Sequence, residues 1–196
     1  MRPKKVSWKS DVPSNYAIIV LTGLLIGSSS TALSRDSIID DFKAQPESRW
    51  KFIADTVMGG VSTGNVSFLK SNENSHARMT GTVSTRNNGG FIQFRTKLSS
   101  PLPNTARGLR FIVRGNNQRY FLHLRTGGTL LPWQYYQSGF EAKREWSEVR
   151  VPFGDFKPSG VLLRAVPRPE GVKSLGFVAF GRNHEAEIEV LEVGYY

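Results

Sequence analysis

Gly60-Val61-Ser62-Thr63-Gly64 is the stretch whose spacing matches a catalytic motif, the G-x-S-x-G turn that presents a nucleophilic serine between a buried strand and a helix. Its setting does not suit that chemistry. Asn65-Val66-Ser67-Phe68-Leu69 follows, a strand-like run where the motif needs a helix. The glycine-bounded turn then reads as structural, with Ser62 satisfying backbone groups. His76, His123 and His184 stand far apart with no second ligand at metal spacing, so no zinc or iron site is expected. Asp40 and Asp41 would meet Glu187 and Glu189 if the terminal strands pair, an arrangement that would suit calcium. The competing reading is plain strand alternation, with Glu187 and Glu189 outward and Ile188 inward. No carboxylate pair is marked out for glycoside hydrolysis, and neither a G-x-G-x-x-G fingerprint nor a P-loop is present. The expectation is a protein that is not an enzyme and holds no cofactor or metal.

Binding residues are better marked. Residues 108–125 hold two alternating runs around Gly115-Asn116-Asn117-Gln118. Paired as a hairpin, they set Val113 against Tyr120, Phe111 against Leu122 and Leu109 against Leu124 on one apolar face. The other face then pairs Arg114 with Arg119, Ile112 with Phe121 and Arg110 with His123. Like charges directly opposite destabilise a ladder, so this face is expected either to splay into water or to meet something anionic around an apolar centre. Arg125 lies at the end of this run, and Trp133, Tyr135 and Tyr136 form an aromatic cluster of which alternate members must face outward. Arg110, Arg114, Arg119, Phe121, His123, Arg125, Trp133 and Tyr135 are therefore the candidate partner- or ligand-binding residues. An outward aromatic pair beside Arg125 would favour a sugar; a broad apolar patch rimmed by arginine would favour a protein.

The elements that must position these residues are strands. A chain of 196 residues with 19 Gly and ten Pro, rich in Val, Ile, Phe, Tyr and Thr, points to an all-β domain with short strands and turns. About ten strands are expected from Ile38 onward, with long loops at 71–75, 98–107, 126–133 and 157–169. Gly59-Gly60 and Gly89-Gly90 mark obligatory turns, where the backbone takes positive φ or approaches a neighbour closely. Residues 1–34 read as a signal peptide. Arg2, Lys4, Lys5 and Lys9 precede an apolar core at 16–27, and Ala32-Leu33-Ser34 offers small residues for cleavage. The core is shorter than the ~20 apolar residues a spanning helix needs. Residues 35–196 then form one exported domain, periplasmic or extracellular; the alternative is an uncleaved membrane anchor, because 28–33 is uncharged. No cysteine is present, hence no lipoprotein attachment and no disulfide framework.

Of 26 basic and 16 acidic residues, 22 and 15 lie beyond residue 34, a net charge of +7. The arginines are spread and accompany no nucleic-acid-binding motif, so attraction to anionic polymers or a peripheral lipid surface is the milder reading, and nucleic acid is not expected.

Asp55-x-Val57-Met58-Gly59-Gly60-x-Ser62 and Asn87-Asn88-Gly89-Gly90-Phe91, with Trp50-x-Phe52, Gly81-x-Val83-Ser84, Trp146-x-x-Val149-x-Val151-Pro152-Phe153, Ser174-Leu175-Gly176-Phe177 and Glu187-Ile188-Glu189-Val190, resemble the complex I intermediate-associated protein 30 family in content and order. The resemblance implies a galactose-binding-like jelly-roll β-sandwich. It also implies an assembly or chaperone-like role toward a protein partner, a membrane-complex subunit in the family's mitochondrial members. Asp55, Met58, Gly59, Gly60, Ser62, Asn88, Gly89 and Gly90 carry its structural motif. The rival reading is an exported carbohydrate-binding module. If the signal is cleaved as expected, N-terminal sequencing of protein recovered outside the cytoplasm begins at Arg35; full-length chain in alkali-washed membranes would show an anchor instead.

Overall fold

The computed structural model describes residues 37–70 and 74–196, and the expected signal segment lies outside them. Alternation of apolar and polar residues lays down β1 (Ser37–Asp40), β2 (Lys51–Ala54), β3 (Thr63–Lys70), β4 (Ser75–Val83), β5 (Phe91–Lys97) and β6 (Gly108–Gly115). The same pattern continues through β7 (Gln118–Thr126), β8 (Tyr136–Ala142), β9 (Ser147–Pro152), β10 (Lys157–Pro158), β11 (Val172–Phe180) and β12 (His184–Tyr195). They form two antiparallel sheets. The first runs β3-β4-β12-β6-β9, with β1 also paired to the end of β12; the second runs β10-β8-β7-β11-β5-β2.

Each sheet buries one face against the other. Trp50, Phe94, Phe111, Phe140 and Phe177 meet at ring separations of 4.7–6.2 Å, mixing stacked and edge-on contacts. Full burial contributes about 1.5–3 kcal/mol per large apolar side chain. Beside this spine the buried Asp40 accepts from Phe42 N–H (2.9 Å), Arg49 Nε (3.0 Å) and Nη2 (2.9 Å), and Trp50 Nε1 (2.9 Å), fixing the chain that leads into β2. Among the described residues the large buried side chains lie between Phe42 and Val193.

The expected hairpin at 108–125 is not formed. The apolar faces are correct, since Leu109, Phe111, Val113, Tyr120, Leu122 and Leu124 are all fully buried. The strands nevertheless belong to different sheets: β6 pairs with β12 and β9, and β7 with β11 and β8. The turn at 115–118 bridges the sandwich. Gly115 N–H bonds Lys143 O, Asn116 N–H bonds Glu187 O and Asn117 N–H bonds Ala142 O. Tyr120 Oη locks the crossing by donating toward Asn116 Oδ1 (2.7 Å) and accepting from Glu187 N–H (2.8 Å), and burial pushes its pKa up to about 12.

The two Gly-Gly turns share a purpose. Asp55 is fully buried and its carboxylate accepts four hydrogen bonds: from Ser62 N–H (2.9 Å), Ser62 Oγ (2.5 Å), Gly90 N–H (2.5 Å) and Phe91 N–H (3.2 Å). Ser62 Oγ in turn accepts from Ser84 N–H (2.9 Å). Gly59 (φ 87°) and Gly90 (φ 127°) supply the left-handed turns. A Cβ on Gly60 or Gly89 would collide with the carboxyl group. Burial alone would raise the Asp55 pKa, but the bonds from Ser62, Gly90 and Phe91 outweigh it and hold the group below the ordinary carboxylate range. Asp55→Asn replaces an acceptor by a donor facing these N–H groups and should cost about 2–4 kcal/mol in urea unfolding. Gly60→Ala should be destabilising for the steric reason. Unchanged midpoints in both variants would remove the knot's structural role.

Candidate functional site

Residues of the eight-member candidate set fall on opposite faces of the sandwich. Arg110 and Arg114 lie on the outer face of the first sheet; Arg119, Phe121, His123 and Arg125 lie on the outer face of the second, with Tyr135 beside them and Trp133 on the adjoining loop. The pairing of Arg114 with Arg119 and of Arg110 with His123 is therefore overturned. Its physical reason is that β12, which carries four glutamates, takes the place beside β6 expected for β7.

On the first sheet those arginines are neutralised. Arg110 Nη2 lies 2.6 Å from Glu192 Oε1, and Arg114 Nη2 lies 2.7 Å from Glu189 Oε2 with its guanidinium 4.7 Å over the Trp146 ring. Arg78 binds Glu187 at 2.6 Å and Arg150 binds Glu148 at 2.6 Å. Asp40 is committed to Arg49 and Trp50, Asp41 is paired with Lys43, and Glu187 and Glu189 are paired with Arg78 and Arg114. No cluster of metal-ligating side chains occurs among the described residues. Ser62 is buried, gives its hydroxyl to Asp55 and leads into strand β3 where a nucleophile turn needs a helix.

The second sheet is different. Antiparallel register sets Lys51, Arg95, Gly176, His123, Gln137 and Lys157 side by side across all six strands. The neighbouring row is Ile53, Gln93, Val178, Phe121 and Gly139. Gly176 leaves the centre of the face low: a Cβ there would stand 3.0 Å from Arg95 Cβ and 3.2 Å from Gln93 Oε1. An aromatic strip runs beside this depression. Phe121 meets Phe180 edge-on at 6.0 Å, Phe180 meets His123 at 5.7 Å, and Tyr135 stacks flat on His123 at 4.1 Å with an interplanar angle of 11°. Arg119 caps the strip 5.5 Å over Phe121.

Tyr136 points inward and is buried, so alternation leaves Tyr135 and Trp133 as the outward aromatics; Trp133 is 67% exposed. The loop carrying them is fastened. Arg125 Nη2 donates to Thr129 O (3.1 Å) and Leu131 O (2.9 Å), Gln134 Oε1 accepts from Leu130 and Leu131 N–H, and Ser159 Oγ ties Trp133 O to Tyr135 N–H. Two adjoining hollows result. A small one of about 50 Å³ is lined by Gln93, Arg95, His123, Gln134 and Tyr135. A larger one of about 440 Å³ is lined by Arg95, Lys97, Arg125, Thr126, Lys173 and Ser174. Gln93, Arg95, Lys97 and Gly176 escape a reading of the sequence alone. The alternation of Phe91-Ile92-Gln93-Phe94-Arg95-Thr96-Lys97 gives their common face, but nothing local places β5 two strands from β7.

His123 Nε2 lies 2.8 Å from Gln137 Oε1, which assigns its proton to Nε2. Burial pushes its pKa down to about 4 against the weaker opposing hydrogen bond, so the ring is neutral at ordinary pH. Beside it Arg95 is half-buried, and burial followed by the nearby Arg125 charge lowers its pKa. The face can stack, accept and donate hydrogen bonds and hold negative charge.

A family model for complex I intermediate-associated protein 30 matches residues 40–190. The chain belongs to the complex I intermediate-associated protein 30 family. The matched span takes in the Asp55 knot and every strand of the candidate face. Comparison of the sequence with curated proteins finds no significant match. Among solved structures, the fold is similar to the family 11 carbohydrate-binding module of a cellulosomal cellulase of Clostridium thermocellum (TM-score 0.66, 11% identity, covering 82% of this chain and 93% of that one). The module from Clostridium thermocellum in complex with a β-1,3-1,4-mixed-linked tetrasaccharide gives a TM-score of 0.65 at 11% identity, covering 82% and 94%. An exo-β-agarase matches at 0.54 and 8% identity over 82% of this chain but only 25% of its own. At these identities the likeness concerns the fold: this family member is an all-β two-sheet sandwich.

The lowered pKa of His123 has a sign that can be checked. With a folded pKa near 4 against an ordinary 6.5, the neutral ring's contribution to stability is fully present above pH 6.5 and is lost as pH falls from there toward 4. Each tenfold difference in proton affinity between the folded and unfolded chain corresponds to about 1.4 kcal/mol. His123→Asn should flatten stability against pH across that window by one proton's worth of slope. The lowered His76 and His184 titrate in both proteins and cancel in the comparison. An unaltered slope would mean that His123 is solvated.

Proposed function

We propose that this family member is a non-catalytic binding module that takes a glycan chain across the outer face of its second sheet. The observation that carries the reading is Tyr135 stacked on His123 beside Arg125, over a face lowered at Gly176. An aromatic face suits the C–H face of a sugar ring, and Gln93, Gln134 and Gln137 offer amide donors and acceptors for hydroxyls. The binding residues are held by strands and a fastened loop, which lowers the ordering cost of association. Two of the similar folds are carbohydrate-binding modules, one described with a mixed-linked tetrasaccharide. Export through residues 1–34 would bring the domain to glycans outside the cytoplasm. Among the described residues, outward carboxylates on the strands of the second sheet are limited to Glu141, and His123 is bonded to Gln137, which supports the non-catalytic reading.

A second reading, assembly with a protein partner, follows from the family and is favoured by one observation. Val57 and Met58 are 71% and 64% exposed on the single turn held by Asp55, an apolar pair anchored to a rigid knot.

Affinity electrophoresis of the purified protein through gels containing mixed-linked β-glucan or sodium polygalacturonate separates these. Retardation in at least one gel, lost in Tyr135→Ala while that variant still unfolds cooperatively, is expected for a half-buried platform. Free migration in both gels, or retardation indifferent to Tyr135→Ala, would overturn the glycan reading.

A further inference from the structure

The two outer faces differ in charge far more than the sequence total suggests. Strands β1, β3, β4, β6, β9 and β12 carry Asp40, Glu148, Glu185, Glu187, Glu189 and Glu192 against Lys70, Arg78, Arg110, Arg114 and Arg150. Most of these meet in the ion pairs already described. The strands of the second sheet turn Lys51, Arg95, Lys97, Arg119, Arg125 and Lys157 outward, with Glu141 as their sole carboxylate. The positive charge of the domain is thus collected on the face that holds the aromatic strip.

Within that face Arg95 is the informative residue. It is half-buried and fixed in register beside Gly176, and its pKa is lowered by burial and then by Arg125 rather than raised by a carboxylate. Among the described residues no acidic side chain lies within ion-pair distance of it. Lys97 and Lys173 line the same 440 Å³ hollow as Arg95 and Arg125, and Thr126, Thr129 and Ser174 add uncharged groups but no acid. Arg125 commits one nitrogen to Thr129 O and Leu131 O, which aims its guanidinium without neutralising it. At Arg95 a fold requirement alone would be met at lower free energy by a neutral residue, because like charges brought together out of water repel. A bound anion reverses that sign, and a guanidinium matches a planar carboxylate or a sulfate through paired hydrogen bonds.

We propose that the hollow formed by Arg95, Lys97, Arg125 and Lys173 is an anion subsite, and that the glycan carried on the Tyr135 platform is acidic, bearing carboxylate or sulfate groups. This rests on the glycan reading and names its substrate class. The aromatic platform and the cationic hollow adjoin through Arg95, so one chain meets both, a ring on Tyr135 and a charged substituent at Arg95. A cationic track along a nucleic-acid backbone needs no such single recess, which favours the glycan over that other polyanion.

The probes are sodium polygalacturonate, dextran sulfate, neutral mixed-linked β-glucan and duplex DNA, titrated at two salt concentrations. The acidic glycan of the better-matched charge should bind at least roughly tenfold more tightly than the neutral one, and its affinity should fall with salt. Arg95→Gln should weaken that binding roughly tenfold, the scale of one lost charge-assisted contact, and Arg95→Lys should restore part of it. Lys97→Gln, at an exposed position, should weaken it in the same direction and covers the case in which Arg95→Gln misfolds. Neutral glucan bound as tightly as either acidic polymer, with both variants silent, would overturn the acidic subsite and leave the glycan reading standing. Failure of all three glycans would overturn both. DNA bound as tightly as the acidic glycans, with the same loss in Arg95→Gln and none in Tyr135→Ala, would make the face a general polyanion surface and overturn the proposal.

Discussion

The buried carboxylate of Asp55 is the interaction on which the rest depends. It follows β2 of the second sheet, and its partners are Ser62 before β3 of the first sheet and the Gly90 and Phe91 amides at the start of β5 of the second. Ser62 extends the bond to the end of β4. One charged group therefore fixes where four strands begin or end. A charge so placed is destabilising unless fully bonded, and this explains the shape of the motif: serine for two donors, glycines where the amides must come close. The exposed Val57 and Met58 ride on the same turn.

Strands, their inward residues and the all-β class were legible because period-two alternation is a local property. The order of strands was not. Val113 and Tyr120, or Phe111 and Leu122, face the core whether their strands pair in one sheet or oppose each other across a sandwich, so apolar pattern cannot choose between the two. The discriminating signal was present in the charges. A hairpin would have set Arg114 against Arg119, whereas β12 beside β6 gives Arg114 and Arg110 their glutamates. The glutamate that Arg114 meets sits 75 residues further on, beyond the reach of pairing rules applied to neighbours.

The candidate site shows the same division. Tyr135 outward and Tyr136 inward follow from alternation alone. Arg95 becomes a neighbour of His123 only through β11, a strand from the far end of the chain that sets Gly176 between them, adds Phe180 to the aromatic strip and lines the hollow with Lys173 and Ser174. The proposed binding face is assembled by long-range pairing, while the motif most visible in the sequence serves the fold.

The segregation of charge between the sheets acts before any contact is made. A neutralised face backed by a cationic one gives the domain an electric moment directed from the glutamate-rich strand β12 toward Arg95 and Arg125. In the field of an anionic surface such a body experiences a torque. It turns as it approaches, so that encounters are preselected for the cationic face to arrive first, and the orientational search that slows most associations is shortened within the Debye length.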